Sequence, residues 1–225
     1  MTRSALERYL LTLLYNSGQH VDISKGPLIA ISRDYGAGAR DVAPLLAKRL
    51  NLQLYDKEII DGIIHAVEGN PNLMRRLDEA APPGMVERLL HSFGNIPSAE
   101  EYSRALVEIV LVISRYGGVV LGRGIHLIAS VPDMYRVYLW ASPETCIDRL
   151  AKRQGLNHDT AASQWRRTME ERRHYLRHYF GHTQDTFSDF DLTINTENIY
   201  SLERVVDIII AGLHASNLLN VDAPK

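Results

Sequence analysis

The chain has 225 residues, of which 45% are hydrophobic and 23% charged, enough apolar material for a sizeable core folded mainly as one domain. Its formal net charge of -2 excludes a general attraction to polyanions, so nucleic acid is not an expected partner. No stretch approaches the roughly 18 to 20 apolar residues of a membrane helix, and a single cysteine, Cys146, rules out an intramolecular disulfide framework and fits a reducing, cytoplasmic setting.

In chain order, residues 1–26 form a unit of their own, with an amphipathic helix around Leu10 to Leu14 that carries Arg3, Glu7 and Arg8. The mixed charge and the lack of a small-residue cleavage pattern do not suit a signal peptide. Such a helix packs on the core or docks on a second subunit, so a homodimer through it is one expectation. Pro27 then restricts Gly26 to an extended approach to the first strand.

Leu28 to Asp41 reads LIAISRDYGAGARD: an apolar run, a turn with two glycines, then a helical pattern from about Arg40 to Leu50. Gly36 and Gly38 can curl the backbone until successive amides point into one concavity, which suits a phosphate. The following helix aims its free N-terminal amides and positive dipole end at the same anion. Measured against G-x-x-x-x-G-K-[ST], however, Arg33 stands at the first glycine and Ala39 at the lysine, and neither Arg40 nor Asp41 after it is the metal-ligating hydroxyl. Arg40 and Arg33 are the nearest cations that could replace the lysine.

Gln53 to Tyr55 is a short second strand running into Asp56, which is placed either to cap the helix that follows or to face a ligand at the carboxyl edge of a parallel sheet. Residues of about 57–116 form a helical insertion, broken by Pro71, Pro82, Pro83 and Pro97 and closed by a long helix from Ala99 to Tyr116. Val119 to Leu121 is a buried strand leading into Gly122, Arg123 and Gly124, where small neighbours expose a guanidinium suited to phosphate or carboxylate. Tyr135 to Trp140 is another strand, Ser142 caps a helix through Arg149 and Arg153, Asp191 to Ile194 is the last strand, and Leu202 to Leu213 is the closing helix.

Between these, Ala161 to Tyr179 carries Arg166, Arg167, Arg172, Arg173 and Arg177 among acidic residues and aromatics. It is either a solvated helix with i,i+4 charge pairs or an arginine-bearing lid that neutralises phosphoryl charge. The polar stretch after Gly181 supplies a flexible return, giving a lid of about 166–189.

With these segments assembled, the chain resembles the cytidylate kinase-like branch of the P-loop nucleoside monophosphate kinases. The resemblance rests on ISRDYGAGARD for an atypical phosphate loop, LYDKEII, VVLGRG, EERRHYLRHYFG and FDLTINT, five segments in the right order. It implies a three-layer α/β/α fold with a parallel sheet over residues 27–213, leaving 214–225 as a C-terminal tail. It further implies magnesium-dependent transfer of the γ-phosphoryl of ATP to a nucleoside monophosphate, CMP or dCMP.

By that resemblance ATP sits on Arg33, Tyr35, Gly36, Ala37, Gly38, Ala39, Arg40 and Asp41, with Asn195 and Thr196 near the base. The acceptor lies near Asp56 and Arg123; Arg40, Arg123, Arg172, Arg173 and Arg177 serve catalysis, and Asp41 is the candidate ligand for Mg2+. Because the lysine is absent, two alternatives stand beside the kinase: a nucleotide-binding sensor that has lost turnover, and a kinase of another small metabolite.

Overall fold

The computed structural model describes residues 26–57, 60, 99–128, 131, 133–182, 185–199 and 201–219. The expected N-terminal helix, most of the expected insertion and the end of the C-terminal tail lie outside them. The described elements are β1 (Leu28–Arg33), α1 (Ala39–Leu50), β2 (Leu54–Tyr55), α2 (Ala99–Ile113), β3 (Gly118–Leu121), β4 (Met134–Trp140), α3 (Pro143–Gln154), α4 (His158–Phe180), β5 (Leu192–Asn195) and α5 (Leu202–Ala215). Short 3₁₀ turns at Ile125–Leu127 and Phe187–Asp189 complete them.

The strands form a parallel sheet in the order β2-β3-β1-β4-β5. β1 is central and apolar because both its faces are covered, as parallel strands require. Its residues alternate between two cores. Leu28 and Ala30 join Leu106, Ile109, Val110 and Ile113 of α2, whereas Ile29 and Ile31 join Val42 and Leu46 of α1 and Val206 and Ile209 of α5. Helices on both faces make the three-layer α/β/α arrangement expected from the sequence.

Local chemistry sets the boundaries. Ser142 Oγ accepts from Thr145 N at 3.3 Å to start α3, and Asn157 Oδ1 accepts from Thr160 N at 2.9 Å to start α4. α4 runs unbroken for 23 residues and ends where Gly181, in the left-handed region, returns its amide to Arg177 O at 3.1 Å. A third apolar cluster of Ile147, Leu150, Ala161 and Ala162 fixes α4 to α3. The arginine-rich helix therefore has a buried root and crosses the carboxyl edge of the sheet.

Candidate active site at the phosphate loop

The chain leaves β1 at Arg33 and turns through Asp34 to Gly38 into α1. Gly36 and Gly38 take φ of 99° and 89°, and Gly38 is the residue before α1, with no side-chain cap. Ala37 N closes the turn on Asp34 O at 3.2 Å, and Tyr35 N faces Met169 Sδ at 3.4 Å. The amides of Gly36, Gly38, Ala39 and Arg40 donate to no partner among the described residues. Open N–H groups at a glycine bend and a helix start form an anion cradle.

Neighbouring strand ends hold the bend in place. Thr196, just past β5 and buried, has its Oγ1 3.1 Å from Ala37 O and 3.2 Å from Trp140 O, and Arg149 donates to that oxygen at 3.0 Å. Cys146 packs directly behind Gly36. Its thiol is buried, and burial pushes its pKa up to about 11, so it is a packing group rather than a nucleophile.

Two cavities meet at the loop. The larger, about 730 Å³, opens toward β3 and α4 and is lined by Arg33, Arg40, Lys57, Arg123, Arg172 and Arg173 together with Asp34, Tyr138 and His126. The smaller, about 570 Å³, lies between α3 and the start of α5, with Gly36 to Asp41, Arg149, Arg153, Thr196 and Leu202 on its wall. Arg33, Asp34, Tyr35, Arg40 and Arg172 border both. Cations outnumber carboxylates around the larger space, so an anion there is favoured.

Arg172 is the innermost lid arginine. Its Nη1 donates to Arg33 O at 2.8 Å, and its guanidinium lies 5.7 Å from the centre of the Tyr35 ring. Burial disfavours its charge and lowers its pKa, while the Asp34 carboxylate offsets the loss. Asp34 in turn accepts from Tyr138 Oη at 2.7 Å. Burial raises the Asp34 pKa above its ordinary value, against the opposing pull of the Tyr138 hydroxyl and Arg172. Tyr138 faces Asp34 because β1 and β4 pair Ser32 with Tyr138 in register.

The turn after β3 has positive φ at Gly122, Arg123 and Gly124 (87°, 57° and 67°). A side chain on Gly122 would strike the Arg33 guanidinium. Arg123 lies 5.1 Å from the Tyr175 ring centre, so α4 orients it through a cation–π contact.

Not every residue singled out in the sequence reaches a cavity. Asp41 lines the smaller one, but its carboxylate is held by Arg153 at 2.8 and 3.1 Å. Asn195 is exposed, accepts from Glu197 N at 2.9 Å and borders neither cavity, whereas Thr196 beside it does. Asp56 precedes the helix start at Lys57 and accepts from Ile60 N at 3.0 Å through its carbonyl; Lys57, not Asp56, lines the larger cavity. Arg177 is exposed and borders neither. Sequence reasoning passed over Asp34 and Tyr138, although a carboxylate at the end of an apolar strand was a usable signal for the first.

Were a Mg2+ to be shared with phosphate oxygens here, Asp34 is the carboxylate that could hold it. Mg2+ needs only one or two protein carboxylates beside phosphates and water, and Asp34 borders both cavities. The Asp41 carboxylate is already engaged by Arg153.

The strand order, the glycine bend feeding a helix and the arginine-bearing helix across the sheet edge define a P-loop α/β protein with a kinase-like fold. The model of the cytidylate kinase-like family matches residues 28–198, and the chain belongs to that family. A crystal structure of an uncharacterized protein from Eubacterium ventriosum ATCC 27560 is 19% identical, covers 84% of this chain and 99% of its own, and superposes with a TM-score of 0.62. More distant are a gluconokinase from Sinorhizobium meliloti 1021 (17% identical, 87% and 97% covered, TM-score 0.47) and a shikimate kinase from Bacteroides thetaiotaomicron (15%, 84% and 98%, 0.43). No curated protein matches the chain by sequence.

Proposed function

We propose that the protein transfers the γ-phosphoryl group of ATP to a small anionic acceptor, most simply a nucleoside monophosphate and, from the family's character, CMP or dCMP. The observation that carries this reading is the set of open loop amides at Gly36 and Gly38 to Arg40, lying where two cavities meet beneath Arg172. ATP occupies the smaller cavity with its phosphates on those amides, and the acceptor occupies the larger.

An acceptor phosphate oxygen is already an anionic nucleophile, so it attacks the γ-phosphorus and ADP leaves without a side-chain base. Catalysis then consists of alignment and charge neutralisation. Arg172, Arg33 and Arg40 border both spaces and replace the ammonium that Ala39 does not provide. Arg123 and Arg173 hold the acceptor, and Asp34 would hold Mg2+, which would supply further neutralisation of phosphate charge.

A coupled assay of ADP release across the nucleoside monophosphates tests this, with CMP or dCMP expected to be fastest. Absence of ADP release with any of them ends the nucleoside monophosphate reading. Tight nucleotide binding in calorimetry without turnover instead supports a sensor. One feature favours a kinase of another metabolite: a buried carboxylate, Asp34, hydrogen-bonded to Tyr138, could take the proton of an alcohol acceptor.

A further inference from the structure

Beyond the arginines, four side chains from two separate segments converge below the end of α4. His126 comes from the 3₁₀ turn after β3; His182, Asp185 and Asp189 come from the strap that follows α4. His126 Nε2 is hydrogen-bonded to Asp185 Oδ1 at 2.9 Å. His182 Nε2 lies 3.1 Å from that same oxygen and 3.7 Å from Asp189 Oδ2. Ligand atoms of the three strap residues all fall within 4.8 Å of one another.

These separations suit a shared ion. Ligand atoms placed tetrahedrally at about 2.0 to 2.1 Å from zinc are about 3.3 to 3.4 Å apart, and the 3.1 and 3.7 Å separations from His182 Nε2 to the two carboxylates bracket that value. The His182 ring nitrogen supplies an independent indication. It is buried and makes no hydrogen bond of acceptable geometry among the described residues, although carboxylate oxygens stand 3.1 and 3.7 Å away.

The surroundings hold the ligands in orientation. The His126 side chain is only 3% exposed, its ring stacks on Phe190 at 4.9 Å, and its carbonyl accepts from Arg136 Nε at 3.0 Å. Asp189 accepts from Thr186 N at 2.6 Å. Outer contacts of this kind fix ligand rotamers in metal sites.

The geometry points to a divalent transition-metal site of the zinc class formed by His182, Asp185 and Asp189, with His126 hydrogen-bonded to Asp185 as its outer partner, which ties the segment carrying these ligands to the turn after β3. An imidazole beside two carboxylates favours such an ion over Ca2+ or Mg2+, which prefer all-oxygen shells. His126 and Asp185 also line the larger cavity, so the site sets the position of one cavity wall. The site stands whether or not the phosphotransfer reading does.

The test uses the untagged full-length chain, stripped with a chelator and titrated with Co2+ and then Zn2+. The expected result is one equivalent of Co2+ with the intense visible bands of tetrahedral coordination, displaced by Zn2+. His182→Ala and Asp185→Asn each weaken binding by more than the about 10- to 100-fold lost with an outer partner. His158→Ala, in the exposed Glu144, Asp148 and His158 group, leaves it unchanged. No stoichiometric binding overturns the proposal, as does binding that survives both substitutions or is lost in His158→Ala. His182 is 23% exposed, so its truncation tests the site without the folding risk of removing His126, and far-UV circular dichroism verifies the fold.

Discussion

Gly36 shows how little freedom the loop has. Its φ is 99°, and an added Cβ would sit 2.7 Å from Cys146 O and 2.9 Å from Cys146 Cα, both backbone atoms. Gly36→Ala therefore combines left-handed strain with a clash that no side-chain rotation relieves. We expect it to lower stability by about 1 to 3 kcal/mol, the range for such backbone strain, and to weaken ATP binding, measured by denaturant unfolding and calorimetry. Asp34 gives the opposite trade. Its folded pKa is raised, chiefly by burial, so between its unfolded and folded pKa the native state binds more protons than the unfolded one. Stability then falls as pH rises through that window, and the cost persists above it. Asp34→Asn removes the buried charge while keeping an acceptor for Tyr138. The variant should melt higher than wild type near neutral pH and lose the acidic-side slope assigned to this group, yet lose Mg2+-dependent turnover. A lower melting temperature at neutral pH would show that the carboxylate stabilises the loop.

At the scale of one element, α4 decides which arginines matter. Arg177 lies about 140° round the helix from Arg172 at 3.6 residues per turn; the first points to solvent, and the second sits beneath the crossing, bound to Arg33 O. Arg172→Ala should lower kcat about 10²- to 10³-fold, as removal of one preorganised charge contact does. Arg172→Lys should recover little, because an ammonium cannot span the Arg33 carbonyl and a phosphate as a planar fork does. Arg177→Ala should stay within about twofold, the effect of roughly 0.5 kcal/mol at a surface position. Equal losses at both positions, in steady-state kinetics, would mean that α4 rotates during the reaction.

The same helix shows what the sequence made legible. Five arginines in a row of helical turns marked it as charged, but their phase depended on the aromatic face of Tyr175 and Tyr179, which packs on Tyr102 of α2 at 6.2 and 4.3 Å between ring centres. That contact joins residues more than 70 positions apart, and local periodicity carries no record of it. The glycine bend, the strands and the Ser142 cap depend on neighbours in sequence and were readable. Tyr138 looked like any residue of an apolar strand until the register of β1 and β4 set it against Asp34.

For the molecule as a whole, the two cavities share Arg172, and this makes a thermodynamic demand. A ligand that binds only the native state raises stability by about 2.7 kcal/mol at a hundredfold excess over Kd, and a domain of this size gains about 2 to 4 °C in Tm per kcal/mol. A nonhydrolysable ATP analogue should therefore raise Tm by roughly 5 to 11 °C. If a second anion in the larger cavity engages the same guanidinium, each ligand helps hold α4 in the position that the other uses. Coupling of about 1 to 3 kcal/mol is typical of linked sites, and by linkage it is reciprocal. CMP plus the analogue should then shift Tm by more than the sum of their separate shifts, and Arg172→Ala should reduce the excess to zero while each single shift survives in part. Strictly additive shifts in wild type would mean that the cavities are filled independently, and Arg172 would then be a contact of one ligand rather than the bridge between two.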